Sequence, residues 1–389
     1  MYTFLFKSRM GDMDSCDFGK LYANRQKGSI HGMESNRRPV RKVYIDFLKI
    51  IAIYMVLFNH TNANGFILFT VARDSRFYLF YLFCAVFIKI AVPLFFMTSG
   101  ALLLGKEESY KKLLTGRFSK YLVILVVSSF LIYLYSCLRI NSEGVSIRHF
   151  FRLLYTSNAS AACWYLYAYL AYILMLPLIR KLAVSMTKRE YQWMFLAYGM
   201  MQMLSIADYI LWKGDAIHNG HFSFFITSNY IFYPLMGYYM DQKMKEEEFT
   251  RKKAVILIAA SIAAILVCCF LTDYRCTRIN EWTEAGCQLF FNTLIFLPTI
   301  TVYYITRMWF LKHDVNEKVC RLITVVGGTT FGIYLTELMC RIETKFVFYY
   351  LQPLIHTFPA CLIWILTACL LGGTIVLLLK RIPWLGKFL

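Results

Sequence analysis

Residues 44–61 read Tyr-Ile-Asp-Phe-Leu-Lys-Ile-Ile-Ala-Ile-Tyr-Met-Val-Leu-Phe-Asn-His-Thr. The stretch is apolar enough to be a membrane-spanning helix, yet it holds Asp46, Lys49, Asn59 and His60. Ionisable groups inside a bilayer are costly and by default mark a functional site. At 100° per residue, the step from Lys49 to His60 returns to within roughly 20° of the starting face, about 16 Å along the axis. Asp46 lies one turn before Lys49 on the same stripe. One helix therefore offers an anion-binding end and an imidazole end to the same neighbours.

The rest of the chain supplies the setting. Its 389 residues are 58% hydrophobic and 17% aromatic, a balance that excludes an ordinary soluble domain. The expected fold is an all-α integral membrane protein, a polytopic bundle of about ten transmembrane helices. The spans are predicted at 44–61, 78–104, 118–138, 161–178, 190–211, 223–240, 254–271, 286–306, 326–344 and 358–379, most near the ~20 residues that crossing requires. Continuous apolar runs exclude a strand-built barrel. Of the 42 Lys and Arg, 30 fall in the first, last and alternate loops and nine in the opposite loops. This asymmetry predicts that both termini are cytoplasmic. It also accounts for most of the net charge of +19, so no nucleic-acid partner is expected.

Residues 1–40 read as a disordered cytoplasmic extension, 41–382 as the transmembrane domain and 383–389 as a short cytoplasmic tail. The extension lacks a cleavable-signal pattern. Met33, just before a basic flank, is a candidate alternative start, which leaves open whether residues 1–32 are native. No loop is long enough to fold alone, so the chemistry belongs to the bundle or its mouths. No internal repeat of the inverted-transporter kind is visible. The twelve cysteines show no metal-ligand spacing, and no metal is expected. Cys276 and Cys287 fall in or beside one outside loop, a placement compatible with a disulfide or with two thiols.

Several residues can carry chemistry, each beside a plainer reading. His60 can act as general base on a hydroxyl, or be an interfacial histidine that meets water. Lys49 and Asp46 can contact a phosphate or carbonyl, or form an i,i+3 ion pair reaching the headgroups. In Val92–Gly100, Pro93 is expected to kink the second span, and Thr98, Ser99 and Gly100 allow close helix approach. Arg117 and Lys120 share a face and suit a phosphorylated donor, or serve as positive-inside anchors. Glu337 can pair with Arg341, or orient His60 as carboxylates orient imidazoles in hydrolytic triads. Asn59, Ser99, Trp164 and Tyr334 are candidates to line a cavity, although Trp164 and Tyr165 also suit an aromatic belt. His218 and His221 read as loop residues. No P-loop or G-x-G-x-x-G is present.

These stretches resemble the acyltransferase 3 family over roughly residues 40–380. The family's Asp-x-Leu-Arg, with a His ten residues after the Arg, is matched by Asp46-Phe-Leu-Lys49 and His60. Its Pro-Leu-Phe-Phe-x-x-Ser-Gly-x-Leu-Leu is similar to Pro93–Leu103. Its Arg-x-x-Arg is similar to Arg117–Lys120, and its Trp-Phe-Leu to Trp164-Tyr-Leu166. A late Tyr-Phe-x-x-Gly is similar to Tyr233–Gly237. Three positions depart from the pattern: Lys49 and Lys120 each replace an Arg, and Glu337 stands where the family commonly shows His. An ammonium lacks the fork of a guanidinium, so the donor contacts differ in geometry. The resemblance implies a stand-alone acyltransferase of the cell (plasma or inner) membrane. Its donor would be acetyl-CoA or another acyl-CoA, with no permanently bound cofactor. Its acceptor would be a hydroxyl of an envelope polysaccharide, often at a lipid-linked stage. Catalytic roles fall to His60 and Glu337, and donor contacts to Asp46, Lys49, Arg117 and Lys120. The alternative for a ten-span chain with buried charge is a transporter or an exporter of a lipid-linked sugar.

Overall fold

The computed structural model describes residues 42–141, 144–156, 161–213, 219, 228–282 and 288–388, and all the regular structure among them is helical. The 1–40 extension, His218, His221 and Cys287 lie outside the described residues. The helices are α1 (Val43–Asn59), α2 (Tyr78–Phe87), α3 (Ala91–Leu103), α4 (Ser119–Ser136), α5 (Ile147–Thr156), α6 (Trp164–Ser185) and α7 (Lys188–Trp212). They continue with α8 (Asn229–Tyr238), α9 (Arg251–Ile279), α10 (Phe296–Lys312), α11 (Glu317–Gly327), α12 (Thr330–Glu343), α13 (Lys345–Ile355) and α14 (Thr357–Leu379).

Among the described residues, six helical stretches are long and apolar enough to cross a membrane: Tyr78–Leu103, Tyr110–Ile140, α6, α7, α9 and α14. The pair α11–α12, bent by 56° at its break, is a seventh if taken as one span. The remaining expected spans are shorter than their apolar windows. α1 and α10 have 17 residues each, and α8 has ten before a five-residue π turn, Tyr239–Lys243. The windows overran because apolar residues continue through turns: Phe290, Phe291 and Leu294 are buried core residues that precede α10.

Long helices carry apolar side chains on their outer faces, such as Val255, Ile262, Leu266 and Phe270 on α9 and Leu366 and Leu370 on α14. In water that surface would be a liability, whereas in lipid it is the solvated face. Inward, α1 packs against α3, α10, α11, α12 and α14, so its charged stripe faces protein. Pro93 falls in the first turn of α3, behind a 3₁₀ turn at Ile88–Ile90, and the span stays continuous through Leu103. Near the start of a helix the missing proline N–H is tolerated.

α3 and α8 meet backbone to backbone. A Cβ on Gly100 would lie 1.9 Å from the Pro234 carbonyl oxygen, and one on Gly237 would lie 2.0 Å from that of Met97. Small residues at facing positions are how membrane helices approach this closely.

Candidate active site

α1 stops where the chain turns at Asn62, whose φ of 51° is a left-handed conformation that asparagine tolerates. His60 is the C-cap residue. The turn is closed by Thr61, whose hydroxyl donates to the Phe58 carbonyl (2.7 Å) and accepts the Phe66 N–H (2.9 Å). Lys89, from the 3₁₀ turn between α2 and α3, braces it. Its ammonium donates to Asn59 Oδ1 (2.9 Å) and Gln288 Oε1 (3.0 Å) and sits 4.3 Å over the Phe66 ring. Lys89 therefore touches residues on both sides of His60.

Charged hydrogen bonds contribute about 1.5–3 kcal/mol. Lys89→Met is expected to lower the thermal unfolding midpoint of the purified protein, with Lys89→Arg recovering most of the loss. Equal midpoints for wild type and Lys89→Met would mean that Lys89 does not hold the turn.

α12 brings Glu337 to this turn. The carboxyl is buried, with Oε1 3.2 Å from His60 Nδ1 and Oε2 3.3 Å from Arg341 Nε. The His60 contact has ion-pair distance but falls short of hydrogen-bond alignment. Catalytic hydrogen bonds are often loose until substrate arrives. Glu337 thus pairs with Arg341 and faces the imidazole. Arg341 is held in turn, its carbonyl accepting Trp364 Nε1–H from α14 at 3.0 Å. Tyr334 donates to the Ala162 carbonyl (2.7 Å) and lines a small pocket with Glu337, Ser128, Cys163 and Leu166.

The other three cavity candidates lie elsewhere. Asn59 is engaged by Lys89, and Ser99 lies beside Tyr169. Trp164 is 37% exposed and does not line that pocket.

At the opposite end of α1, Lys49 Nζ lies 3.4 Å from Asp46 Oδ1, and Asp46 is buried against Gly327 of α11. Arg117 and Lys120 take different hydrogen-bond partners. Arg117 Nε donates to Glu108 Oε2 (2.9 Å), which also accepts from Arg180 Nη2 (3.2 Å). Lys120 instead reaches the Lys387 carbonyl (2.6 Å). Burial opposes ionisation of Glu108, but the Arg117 and Arg180 guanidiniums hold its carboxyl below the usual range. Burial, with Arg117 beside it, pushes the Lys106 ammonium down. Arg180 and Lys42 act on Lys106 in the same direction, so four cations stand near one another. Lys42 itself pairs with the buried Asp241, which also accepts from Tyr44.

Sequence reasoning left Lys89, Glu108, Arg180 and Asp241 without roles. Lys89 was visible as a charge inside an apolar span. Glu108, Arg180 and Asp241 sit in or beside basic segments, where nothing in the sequence separates a buried charge from a solvated one. No cluster of metal-ligating side chains occurs among the described residues.

The arrangement has an imidazole backed by a carboxylate at one end of α1 and concentrated cations near the other. Such a pair can take a proton from a hydroxyl, and such cations can hold phosphates. No curated protein and no solved structure matches the chain. The family model described as an acyltransferase domain matches residues 42–378, nearly all of the described bundle. The chain therefore belongs to the acyltransferase 3 family.

Proposed function

We propose that this protein is a membrane O-acyltransferase. It moves an acyl group, acetyl in the simplest case, from cytoplasmic acyl-CoA to a hydroxyl of an envelope polysaccharide. In this reading the chain crosses the cell membrane ten times with both termini inside, the shorter helices α1, α8 and α10 being enclosed by the rest. The reading rests above all on the His60–Glu337 pair standing at the far end of α1 from the crowded cations.

Lys49, Arg117, Arg180 and Lys106 neutralise donor phosphates at the inner mouth. Asp46 orients Lys49, and Glu108 fixes both arginines. At the outer mouth His60 accepts the proton of the attacking hydroxyl as its oxygen adds to the thioester carbonyl. Glu337 stabilises the imidazolium that results, and Arg341 holds that carboxylate in place. The thiolate of the donor leaves and takes up a proton.

The test compares the envelope polysaccharides of a deletion strain with the same strain carrying the wild-type gene. Base-labile acyl release and mass spectrometry give the readout. An acyl group that returns with the gene is the expected result. Equal acylation in both strains, with the protein expressed, would overturn the proposal. Flux of a substrate across vesicles without acyl-CoA consumption would then assign it to transport.

A further inference from the structure

α5 is unlike the other helices. Its ten residues, Ile-Arg-His-Phe-Phe-Arg-Leu-Leu-Tyr-Thr, are too few to cross a bilayer. It is nonetheless fixed in place. At its start, the Ser146 N–H donates to Tyr133 Oη (3.1 Å), and Phe150 packs on Phe130 and Tyr133 of α4. Near its end, Tyr167 of α6 donates to the Leu154 carbonyl (2.7 Å). Leu154 also packs in the layer that contains Leu166, Tyr334 and Leu335, three of the residues lining the Glu337 pocket.

Around the axis the residues sort into sectors. Phe150, Leu153 and Leu154 face the bundle. Ile147, Phe151 and Tyr155 form an exposed apolar stripe, at 55, 57 and 92% exposure. Arg148 and Arg152, both exposed, follow next around the helix. At 100° per residue the apolar stripe spans roughly 80°, and the arginines occupy the following ~60°. The two arginines are four residues apart, so they stand about 6 Å from each other on one face. Protein, lipid tail and headgroup are thus each given a sector.

We propose that α5 lies in the plane of the membrane interface and binds the phosphate of an anionic lipid headgroup through Arg148 and Arg152, beside the Glu337 pocket. Apolar side chains at the acyl boundary with arginines at headgroup level are the physical pattern of an interfacial helix. Charge complementarity selects the occupant: two adjacent guanidiniums fit a lipid phosphate and have no use for a zwitterion whose charge is already balanced. The inference goes beyond acyl transfer and does not depend on it.

The experiment places a photoreactive benzoylphenylalanine at position 151 of the full chain in bilayers of phosphatidylcholine mixed with phosphatidylglycerol. Crosslinked lipid is identified by mass spectrometry. The expected result is a preference for phosphatidylglycerol of roughly thirty-fold, the scale that two arginines near an anionic surface supply. Arg148→Gln combined with Arg152→Gln is expected to abolish the preference, and the corresponding double Lys variant to keep most of it. Both pairs are on an exposed face, and equal thermal midpoints will show that folding is intact. Equal capture of the two lipids by the wild type would overturn the proposal, as would crosslinking to protein instead of lipid. Loss of the preference on adding inorganic phosphate would assign the arginines to a soluble anion and would also overturn it.

Discussion

His60→Ala is expected to reduce acyl transfer by about 10²–10⁴-fold, the usual contribution of a positioned general base. The variant should still insert in the membrane, because His60 caps α1 through its backbone N–H to the Leu57 carbonyl, which alanine keeps. The turn is held by Thr61, Phe66 and Lys89. Donor affinity should be unchanged, since the cations lie at the other end of the helix. Glu337→Gln should cost less in rate, since it keeps the shape beside His60 and removes only the charge that favours the imidazolium. Initial rates on acyl-CoA with each purified variant are the check. Wild-type turnover by His60→Ala would remove the histidine from the chemistry.

Gly237→Ala is expected to prevent normal assembly of the bundle. Its Cβ would sit 2.0 Å from a backbone oxygen of Met97, and backbone cannot swing aside as a side-chain tip can. Overpacking of a well-filled core costs about 1–3 kcal/mol, and a backbone clash belongs at or beyond the top of that range. Gly100→Ala should behave alike, as the reciprocal contact of the same crossing. Gly116 is the control, since a Cβ there meets nothing within 4 Å. Thermal unfolding in detergent, with the yield of monodisperse protein, separates the cases. A Gly237→Ala midpoint equal to that of Gly116→Ala would contradict the packing described.

Much of this was legible in the sequence because hydrophobic runs and in-span charges are local signals. The α1 stripe, the i,i+4 spacing of Glu337 and Arg341, and the helical class all follow from periodicity alone. The meeting of His60 with Glu337 crosses from one helix to another, and only the carboxylate–imidazole chemistry suggested it. Helix ends were the weak point. Phe290 and Leu294 look like span residues but form the turn before α10, because hydropathy does not distinguish a buried turn from a buried helix. Arg117 and Lys120 share a helical face, yet their hydrogen bonds go to different partners, Glu108 from the preceding loop and the Lys387 carbonyl from the far end of the chain. The amphipathic character of α5 was written in its ten residues, but its span of the chain was short enough to pass as loop.

The 56° bend between α11 and α12 has a mechanical consequence. α11 touches α1 at one end, through Gly327 against Asp46, and α12 touches it at the other, through Glu337 against His60. α1 is therefore a ruler clamped at two marks. Turning α12 by one residue, about 100°, would carry Glu337 off the imidazole, and α11 meets α1 so closely that a side chain larger than Gly327 would run into Asp46. The seating of Glu337 beside His60 is thus tied, along one helix, to the seating of Gly327 beside Asp46 at its other end.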